Sequence, residues 1–332
     1  MAAARTHRPT WAPALGAIAV VSALLALLIT AFGWPSSRIE PRDLPIAVAA
    51  PAPAVAQIED GLAQAGAGAF AVTTVADRDA ALQAIEDRDV YGAVVVDADG
   101  AEVLTASAAS PAVAQLLTQL ASGLAGEGVA APVTDVVPTP VDDPRGSGFA
   151  SGALPLVIGG VAAAALLSRR VVGRAPLLTG AVGIAVVGAM TMTAIWQYWL
   201  GSLEGDYWAN ASVVALALGA TTLTVLGLHR LLGDAGLGLG AATMVLLGNP
   251  LSAMSSAPEL LPSGWSDLGQ LLPPGAAGSA LRSVAFFDGA AAAAPLLVLA
   301  GWLALGLALC LLPSRRPAVQ HAAEPEAVKA VA

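Results

Sequence analysis

The sequence predicts an α-helical polytopic membrane protein with six transmembrane helices, an outer re-entrant hairpin before the last helix, and a small exported α/β domain between helices 1 and 2. Three observations predict this fold class. The chain is 56% hydrophobic and only 12% charged, whereas soluble domains carry about 25% charged residues. Apolar segments long enough to span a bilayer recur along it, and one long polar segment separates the first from the others.

A membrane-spanning helix needs about 20 consecutive apolar residues. Six segments are candidates, at residues 12–33, 149–167, 175–199, 209–228, 235–254 and 290–312. Asn249 and Pro250 interrupt the fifth segment, and proline removes a backbone hydrogen-bond donor from a helix. The fifth segment is therefore the weakest of the six predicted crossings.

The first segment has two interpretations, an uncleaved anchor or a cleaved signal peptide. Small residues in the stretch AVAAPAPAVA offer cleavage sites downstream. The apolar core is longer than the 7–15 residues of a signal peptide. It also ends in Phe32, Gly33, Trp34 and Pro35, which is typical of an aromatic anchor at the membrane interface. We therefore predict an uncleaved anchor.

Arginines mark one side of the predicted bundle, because cytoplasmic flanks of membrane helices are enriched in Lys and Arg. With six crossings they all fall on that side: Arg5, Arg8, Arg169, Arg170, Arg174, Arg230, Arg315 and Arg316. Residues 35–148 instead hold sixteen Asp and Glu against five Arg and no Lys. We predict a cell-membrane protein with both termini in the cytoplasm and residues 35–148 outside.

Four regions follow from this arrangement. Residues 1–34 form the cytoplasmic N-terminus and first helix, and residues 35–148 the extracytoplasmic α/β domain with a proline-rich tether at 132–144. Residues 149–312 form a five-helix membrane domain, and residues 313–332 a disordered cytoplasmic tail. Within the exported domain, strands are predicted at 44–50, 69–75, 90–97 and 101–107 and helices at 54–66, after Asp77 and from Ser110 to Gly123.

The sequence offers little for catalysis, and we predict no enzyme activity and no cofactor. The exported domain contains no His, Cys or Lys. Asp97, Asp99 and Glu102 lie close enough together to bind a divalent cation, but a solvated turn between strands explains them better. The six apolar segments hold no Asp, Glu, Lys, Arg or His, the usual carriers of coupling ions. Nothing in the sequence indicates nucleic-acid binding.

Small and polar residues near the fifth segment have structural interpretations. Gly236 and Gly240 form a G-x-x-x-G motif, which lets helices approach closely. Packing within one chain is favoured over a dimer contact. His229 is expected at the membrane interface, and Asp234 at the i+4 position from Arg230 is a candidate ion-pair partner.

Residues 250–289 are too apolar for an ordinary loop and too rich in Pro and Gly for a spanning helix. Helical pieces are predicted at 266–271 and 276–285, so the segment is either a re-entrant hairpin or an interfacial loop on the lipid headgroups. As a hairpin it would form an outer gate. The candidate gate residues are Asn249, Pro250, Pro273, Pro274, Gly275, Arg282 and Asp288, with a pairing of Arg282 and Asp288 as its lock.

Three local sequences resemble those of ABC-2 type permeases and the related YhgE/Pip proteins. They are DRDAALQAIEDRDVYGAVVVD in the exported domain, SGFASGALPLVIGG at the second span, and the segment 248–289 with its L-P and P-P-G-A elements. The resemblance implies a permease subunit, paired as a homodimer or heterodimer in the bilayer, that exports hydrophobic or amphipathic molecules. Energy would come from a separate ATPase, because the chain has no phosphate-binding G-x-x-x-x-G-K-[ST] loop.

The chain departs from the ABC-2 pattern in its cytoplasmic surface. The predicted inner loops, near residues 168–174 and 229–234, are short, whereas ABC-2 permeases often contact their ATPase through a substantial inner loop. The alternative function is therefore that of YhgE/Pip proteins: an envelope interaction or secretion-accessory protein, or a phage receptor, without transport activity.

Overall fold

The computed structural model describes residues 11–98, 100–124 and 131–313. Within these residues, five helices are long and apolar enough to cross a membrane: Pro13–Ser36, Ser147–Arg170, Arg174–Trp199, Tyr207–Leu232 and Ala293–Leu311. They correspond to five of the six predicted spans. Residues 314–332 of the predicted tail (313–332) and the first ten residues lie outside the described part of the chain.

The fifth predicted span is shorter than expected. Helix α9, Asp234–Ala242, continues into a π-helical turn, Thr243–Gly248. The apolar helix Asp234–Gly248 is about 22 Å long at 1.5 Å per residue, less than the roughly 30 Å hydrocarbon thickness of a bilayer. Asn249 and Pro250 follow it directly. The sixth crossing therefore stays a prediction.

One helix forms the centre of the bundle. The long helices are α1 (Ala12–Ser36), α6 (Ala153–Arg170), α7 (Arg174–Ala194), α8 (Tyr207–Leu232) and α12 (Ala293–Leu311), and the short helix α5 (Ser147–Ser151) precedes α6. Most of α8 is buried, and it contacts α6, α7, α9 and α12. No residue in the apolar window of α1 is buried, so α1 contributes little to the packed core.

The Gly236–Gly240 motif packs α9 against α8 within the same chain. A Cβ atom on Gly236 would lie 2.1 Å from the carbonyl oxygen of Leu228, and one on Gly240 would lie 3.0 Å from Val225. Only glycine permits this approach of two backbones.

The polar segment between α1 and α6 folds into a five-stranded mixed sheet. Its strands are β1 (Leu44–Ala49), β2 (Phe70–Thr74), β3 (Gly92–Asp97), β4 (Gly100–Thr105) and β5 (Val133–Asp135). The order is β2-β1-β3-β4-β5, with β3 and β4 antiparallel and the other pairs parallel. Helices α2 (Ala52–Ala65), α3 (Arg78–Glu86) and α4 (Pro111–Leu124) complete this sheet domain.

The first four strands and all three helices lie close to their predicted positions. Hydrophobic alternation in strands and side-chain capping of helices are local signals, so the sequence alone could predict these elements. Asp77 accepts a hydrogen bond from the Ala80 amide at the start of α3, as predicted. The tether is a correction: its first part forms β5 at the sheet edge. Val133 and Thr134 are β-branched, and an edge strand tolerates the adjacent proline at position 132.

The predicted hairpin contains a 3₁₀ turn, Pro258–Leu260, and helices α10 (Trp265–Gln270) and α11 (Pro273–Phe286). The Trp302 indole donates to the Leu271 carbonyl at 2.7 Å. Since Trp302 is nine residues beyond the start of α12, the tip of the hairpin lies about 14 Å along that helix. Helix α11 is largely buried and packs on α8 and α12, so the hairpin folds back into the bundle.

Candidate functional site

A cleft of about 590 Å³ lies where the sheet domain, the hairpin and the start of α12 meet. This volume is typical of a pocket for a small organic ligand. One wall is polar and includes Arg88, Tyr91, Glu259 and Gln270. An apolar wall comes from Ala294, Pro295 and Val298 on the first turns of α12 and from Ala291 just before that helix.

Arg88 joins the sheet domain to the hairpin. Its Nη1 donates to the Ser279 carbonyl at 3.2 Å and to the Ser283 hydroxyl, both on α11. The guanidinium carbon lies 5.3 Å from the centre of the Phe287 ring. Burial lowers the pKa of Arg88, while Tyr91 and Glu259 oppose that effect.

The backbone of Arg88 is in the left-handed region, with φ of 63°. This conformation costs about 1–2 kcal/mol for a residue with a Cβ atom. The conformation belongs to the end of α3: the Arg88 amide donates to the Ile85 carbonyl at 3.0 Å and the Asp89 amide to the Ala84 carbonyl at 2.9 Å, the Schellman arrangement that closes helices.

Tyr91 and Glu259 form a second bridge to the hairpin. The Tyr91 hydroxyl donates to Glu259 Oε2 at 2.8 Å, so a residue of the sheet domain binds a residue of the 3₁₀ turn. Burial raises the pKa of Tyr91, and the Glu259 carboxylate raises it further. The hydroxyl is therefore protonated at neutral pH and acts as the donor.

The cleft also contains a bridge inside the hairpin. The Ser279 hydroxyl donates to Gln270 Oε1 at 2.6 Å, and Gln270 Nε2 donates to the Ser252 carbonyl at 3.4 Å. Gln270 thus connects α10, α11 and the segment before them at the edge of the cleft.

The predicted pairing of Arg282 with Asp288 is wrong. Arg282 is 3% exposed, its Nη2 donates to the Met254 carbonyl at 2.9 Å, and its guanidinium lies 4.9 Å from the Phe149 ring centre. Asp288 is exposed and lies beyond the end of α11 at Phe286. Six residues along a helix turn by about 600°, so the two positions would not share a face even if α11 continued.

The remaining candidate gate residues lie in two separate places. Pro273, Pro274 and Gly275 begin α11 at the tip of the hairpin, where a Cβ on Gly248 would lie 2.6 Å from Pro274. Asn249 and Pro250 line a separate cavity of about 290 Å³ near the end of α1. The Asn249 Oδ1 atom is buried there and, among the described residues, has no hydrogen-bond partner.

The acidic residues considered for a cation have structural contacts. Arg78 Nε donates to Glu102 Oε2 at 2.9 Å, and the Thr134 hydroxyl donates to Glu102 Oε1 at 2.7 Å. These hydrogen bonds lower the pKa of Glu102. Asp99 lies outside the described residues. Within the described ranges, no group of three or more His, Cys, Asp or Glu side chains is placed to hold a metal.

The expected ion pair between Arg230 and Asp234 does not form. The Asp234 carboxylate instead lies 3.9 Å from His229 Nδ1. The reason is that α8 ends at Leu232 and Gly233 reverses the chain with φ of 65°, so Arg230 and Asp234 are not one turn apart on the same helix.

Sequence reasoning missed Arg88, Tyr91 and Glu259. Arg88 and Tyr91 lie in a connection between α3 and β3, and their partners follow 168 to 195 residues later. No periodicity or spacing encodes contacts at that separation. The only local signal is an arginine and a tyrosine in a domain otherwise dominated by acidic residues.

No family model, curated protein or solved structure matches the chain. Its resemblance to ABC-2 and YhgE/Pip proteins therefore depends on the local sequences and on the order of the elements.

Proposed function

We propose that the chain is the membrane-embedded permease subunit of an exporter for amphipathic molecules, and that the cleft holds the substrate at the outer end of the bundle. The observation that carries this proposal is the division of the cleft into a polar wall with Arg88 and Glu259 and an apolar wall on α12. A molecule with a polar head and an apolar body satisfies both walls, because each wall would lose favourable contacts with a purely polar or purely apolar ligand.

The hairpin would serve as the outer gate. Its α11 packs between α8 and α12, and the sheet domain holds α11 through Arg88 and the 3₁₀ turn through Tyr91. Opening of the cleft toward the bundle would require release of these two bridges, together with the hydrogen bonds that the Glu40 and Arg42 amides donate to the 3₁₀ turn. The sheet domain would then act as the latch of the gate.

Blocking the cleft tests this proposal. Ala294→Trp would place a large side chain in the cleft at its apolar wall. Leu297→Trp is the matched control, because Leu297 is 72% exposed and does not line the cleft. We expect Ala294→Trp cells to be as sensitive to amphiphilic dyes and detergents as deletion cells, and Leu297→Trp cells to resemble wild type. The purified Ala294→Trp protein should also lose binding of a fluorescent amphiphile. Wild-type binding and resistance in Ala294→Trp would reject the site.

A separate ATPase subunit is part of the proposal, together with pairing of two permease chains in the cell membrane. The predicted inner loops, which would contact such a subunit, are short: residues 171–173 join α6 to α7, and Gly233 alone joins α8 to α9. Affinity purification of the tagged chain from mild detergent should recover an ATP-binding protein. If none is recovered and amphiphile resistance does not depend on the chain, the exporter proposal fails.

A second candidate function, an envelope interaction protein, is favoured by one observation. Strand β2 is at the edge of the sheet, and a groove of about 290 Å³ runs between it and α2, lined by Leu62, Phe70 and Val72. Such an edge can accept an extended segment of another protein. Val72→Lys should abolish capture of that partner, while Thr73→Lys, on the same strand but outside the groove, should not. Amphiphile resistance would remain unchanged in both variants.

A further inference from the structure

A further cavity, independent of the cleft, lies at the opposite end of the bundle. Its volume is about 230 Å³, and it is enclosed by the end of α6, the start of α7 and the end of α8. We call it the basic cavity because its charged lining consists of Arg169 and Arg230, with His229 beside them. No carboxylate is among the residues that line it.

The arginines of the basic cavity are not neutralised. Within the described part of the chain, neither Arg169 nor Arg230 lies within 4 Å of a carboxylate oxygen. Arg230 Nε is buried and has no hydrogen-bond partner among the described residues. A buried donor on a charged group without a hydrogen-bond partner is unfavourable. An anion in the cavity would remove this cost.

Helix α7 adds a further attraction for an anion. It begins at Arg174, its N-cap Gly173 lines the cavity, and no side chain caps it. The first amide groups of a helix lack partners within the helix and carry a partial positive charge. Two arginines and a helix N-terminus therefore line one small space, and both kinds of group bind phosphate in proteins.

The surroundings of the cavity indicate what carries the phosphate. Val171, Val172, Leu177 and Leu226 line it, and Val172 is 93% exposed. A free anion gains nothing from such apolar neighbours, whereas a phospholipid places acyl chains directly beside its phosphate. Basic pockets between membrane helices bind anionic lipid headgroups in this way.

We propose that the basic cavity binds the phosphate group of an anionic phospholipid. Arg169 and Arg230 would donate to the phosphate oxygens, and the exposed Val172 would contact the upper acyl chains. The bound lipid would bridge α6, α7 and α8, and so stabilise the end of the bundle where their connections are shortest.

Lipid binding to the purified full-length protein in a neutral detergent tests this proposal. Phosphatidylglycerol and phosphatidylcholine are titrated separately, with bound lipid counted by native mass spectrometry and the melting temperature recorded in parallel. We expect retention of phosphatidylglycerol and a higher melting temperature with it, and neither effect with phosphatidylcholine. Equal retention of both lipids would overturn the proposal.

Charge variants locate the site. Arg230→Gln and Arg169→Gln should each weaken phosphatidylglycerol binding about tenfold, the loss expected from one charge-assisted contact of about 1.4 kcal/mol. Arg170→Gln is the matched control, since it removes the same charge from the next position of α6, outside the cavity. If Arg230→Gln does not fold, Arg169→Gln decides alone, because Arg169 is exposed. Equal losses in Arg169→Gln and Arg170→Gln would show only a diffuse charge effect and reject the cavity.

Inorganic phosphate separates the two sources of the anion. We expect millimolar phosphate to change the melting temperature by less than about 1 °C relative to the protein without phosphate. Stabilisation by phosphate equal to that by phosphatidylglycerol would overturn the lipid as the carrier.

Discussion

Arg88 is the residue on which the joint between the sheet domain and the hairpin depends most. It combines a left-handed backbone, two hydrogen bonds to α11 and a ring contact with Phe287. The hydrogen bonds and the ring contact would be unnecessary for an arginine that only served solubility. The side chain contacts two elements that are far apart in sequence, so its loss should affect the whole joint.

We expect Arg88→Gln to destabilise the protein by about 2 kcal/mol, since hydrogen bonds from charged donors contribute about 1.5–3 kcal/mol. Amphiphile resistance should fall as well, because the latch on α11 is lost. The measurements are thermal unfolding in detergent and growth on amphiphiles. Arg78→Gln is the control: it removes an arginine from the same domain whose side chain is 42% exposed, and little change is expected. Similar losses in both variants would mean that Arg88 has no special role.

Glu102 gives the sheet domain a defined response to acid. Its pKa is lowered by the hydrogen bonds from Arg78 and Thr134, so the ionised form is favoured in the folded state. The corresponding stabilisation is present above the ordinary pKa of Glu, near 4.3, and is lost as pH falls through the lowered folded-state pKa. Melting temperatures between pH 6 and pH 3 should therefore fall less steeply for Glu102→Gln than for wild type. Parallel curves for the two proteins would exclude this contribution.

At the scale of elements, the two arms of the hairpin are held together by glycine. A Cβ on Gly269 would lie 2.0 Å from the Leu251 carbonyl oxygen, and one on Gly275 would lie 2.1 Å from the Gly269 carbonyl oxygen. In both cases the added carbon would collide with a backbone atom, which cannot move away by a change of rotamer as a side chain can. The sequence showed that this segment is broken by Pro and Gly, but the reason for each glycine appears only in the packed hairpin.

Gly275→Ala should cost about 2 kcal/mol or more, because an extra carbon in a tightly packed site forces the backbone to shift. The control is Gly301→Ala in α12, where a Cβ would meet nothing within 4 Å and where alanine favours the helix. We expect a lower melting temperature only for Gly275→Ala. If both variants melt like wild type, the close approach of α10 and α11 does not exist in the membrane.

The elements themselves were largely predictable, since helices and strands follow from local patterns. The strands of the sheet domain, the Asp77 cap and both helical pieces of the hairpin lie close to their predicted positions. The failures are contacts rather than elements. The predicted pairing of Arg282 with Asp288 requires both residues on one face of the second hairpin helix, whereas Arg282 contacts Met254 and Phe149 and α11 ends before Asp288.

At the scale of the whole molecule, the sheet domain and the bundle are packed together. Glu40 and Arg42 donate backbone hydrogen bonds to the carbonyls of Leu260 and Glu259, and Leu260 is buried in the same apolar cluster as Leu44 and Val48 of β1. The hairpin therefore contributes to two cores, one in the bundle and one in the sheet domain. Movement of the hairpin would be transmitted to the sheet domain, which suits a latch.

The number of crossings depends on whether residues 234–248 span the bilayer. The question arises because this helix is shorter than the hydrocarbon layer. If it crosses, Asp234 and Ser263 lie on opposite sides. Both positions are exposed, and the native Cys310 is buried, so single cysteines at Asp60, Val172, Asp234 and Ser263 can be labelled selectively. We expect a membrane-impermeant maleimide to label Asp60→Cys and Ser263→Cys on intact cells, and Val172→Cys and Asp234→Cys only after permeabilisation. Labelling of Asp234→Cys and Ser263→Cys from the same side would reduce the crossings to five and put the two ends of the chain on opposite sides of the membrane. That result would also rule out the outer gate. The hairpin and the sheet domain pack together and must be on the same side of the membrane, whereas five crossings would place them on opposite sides.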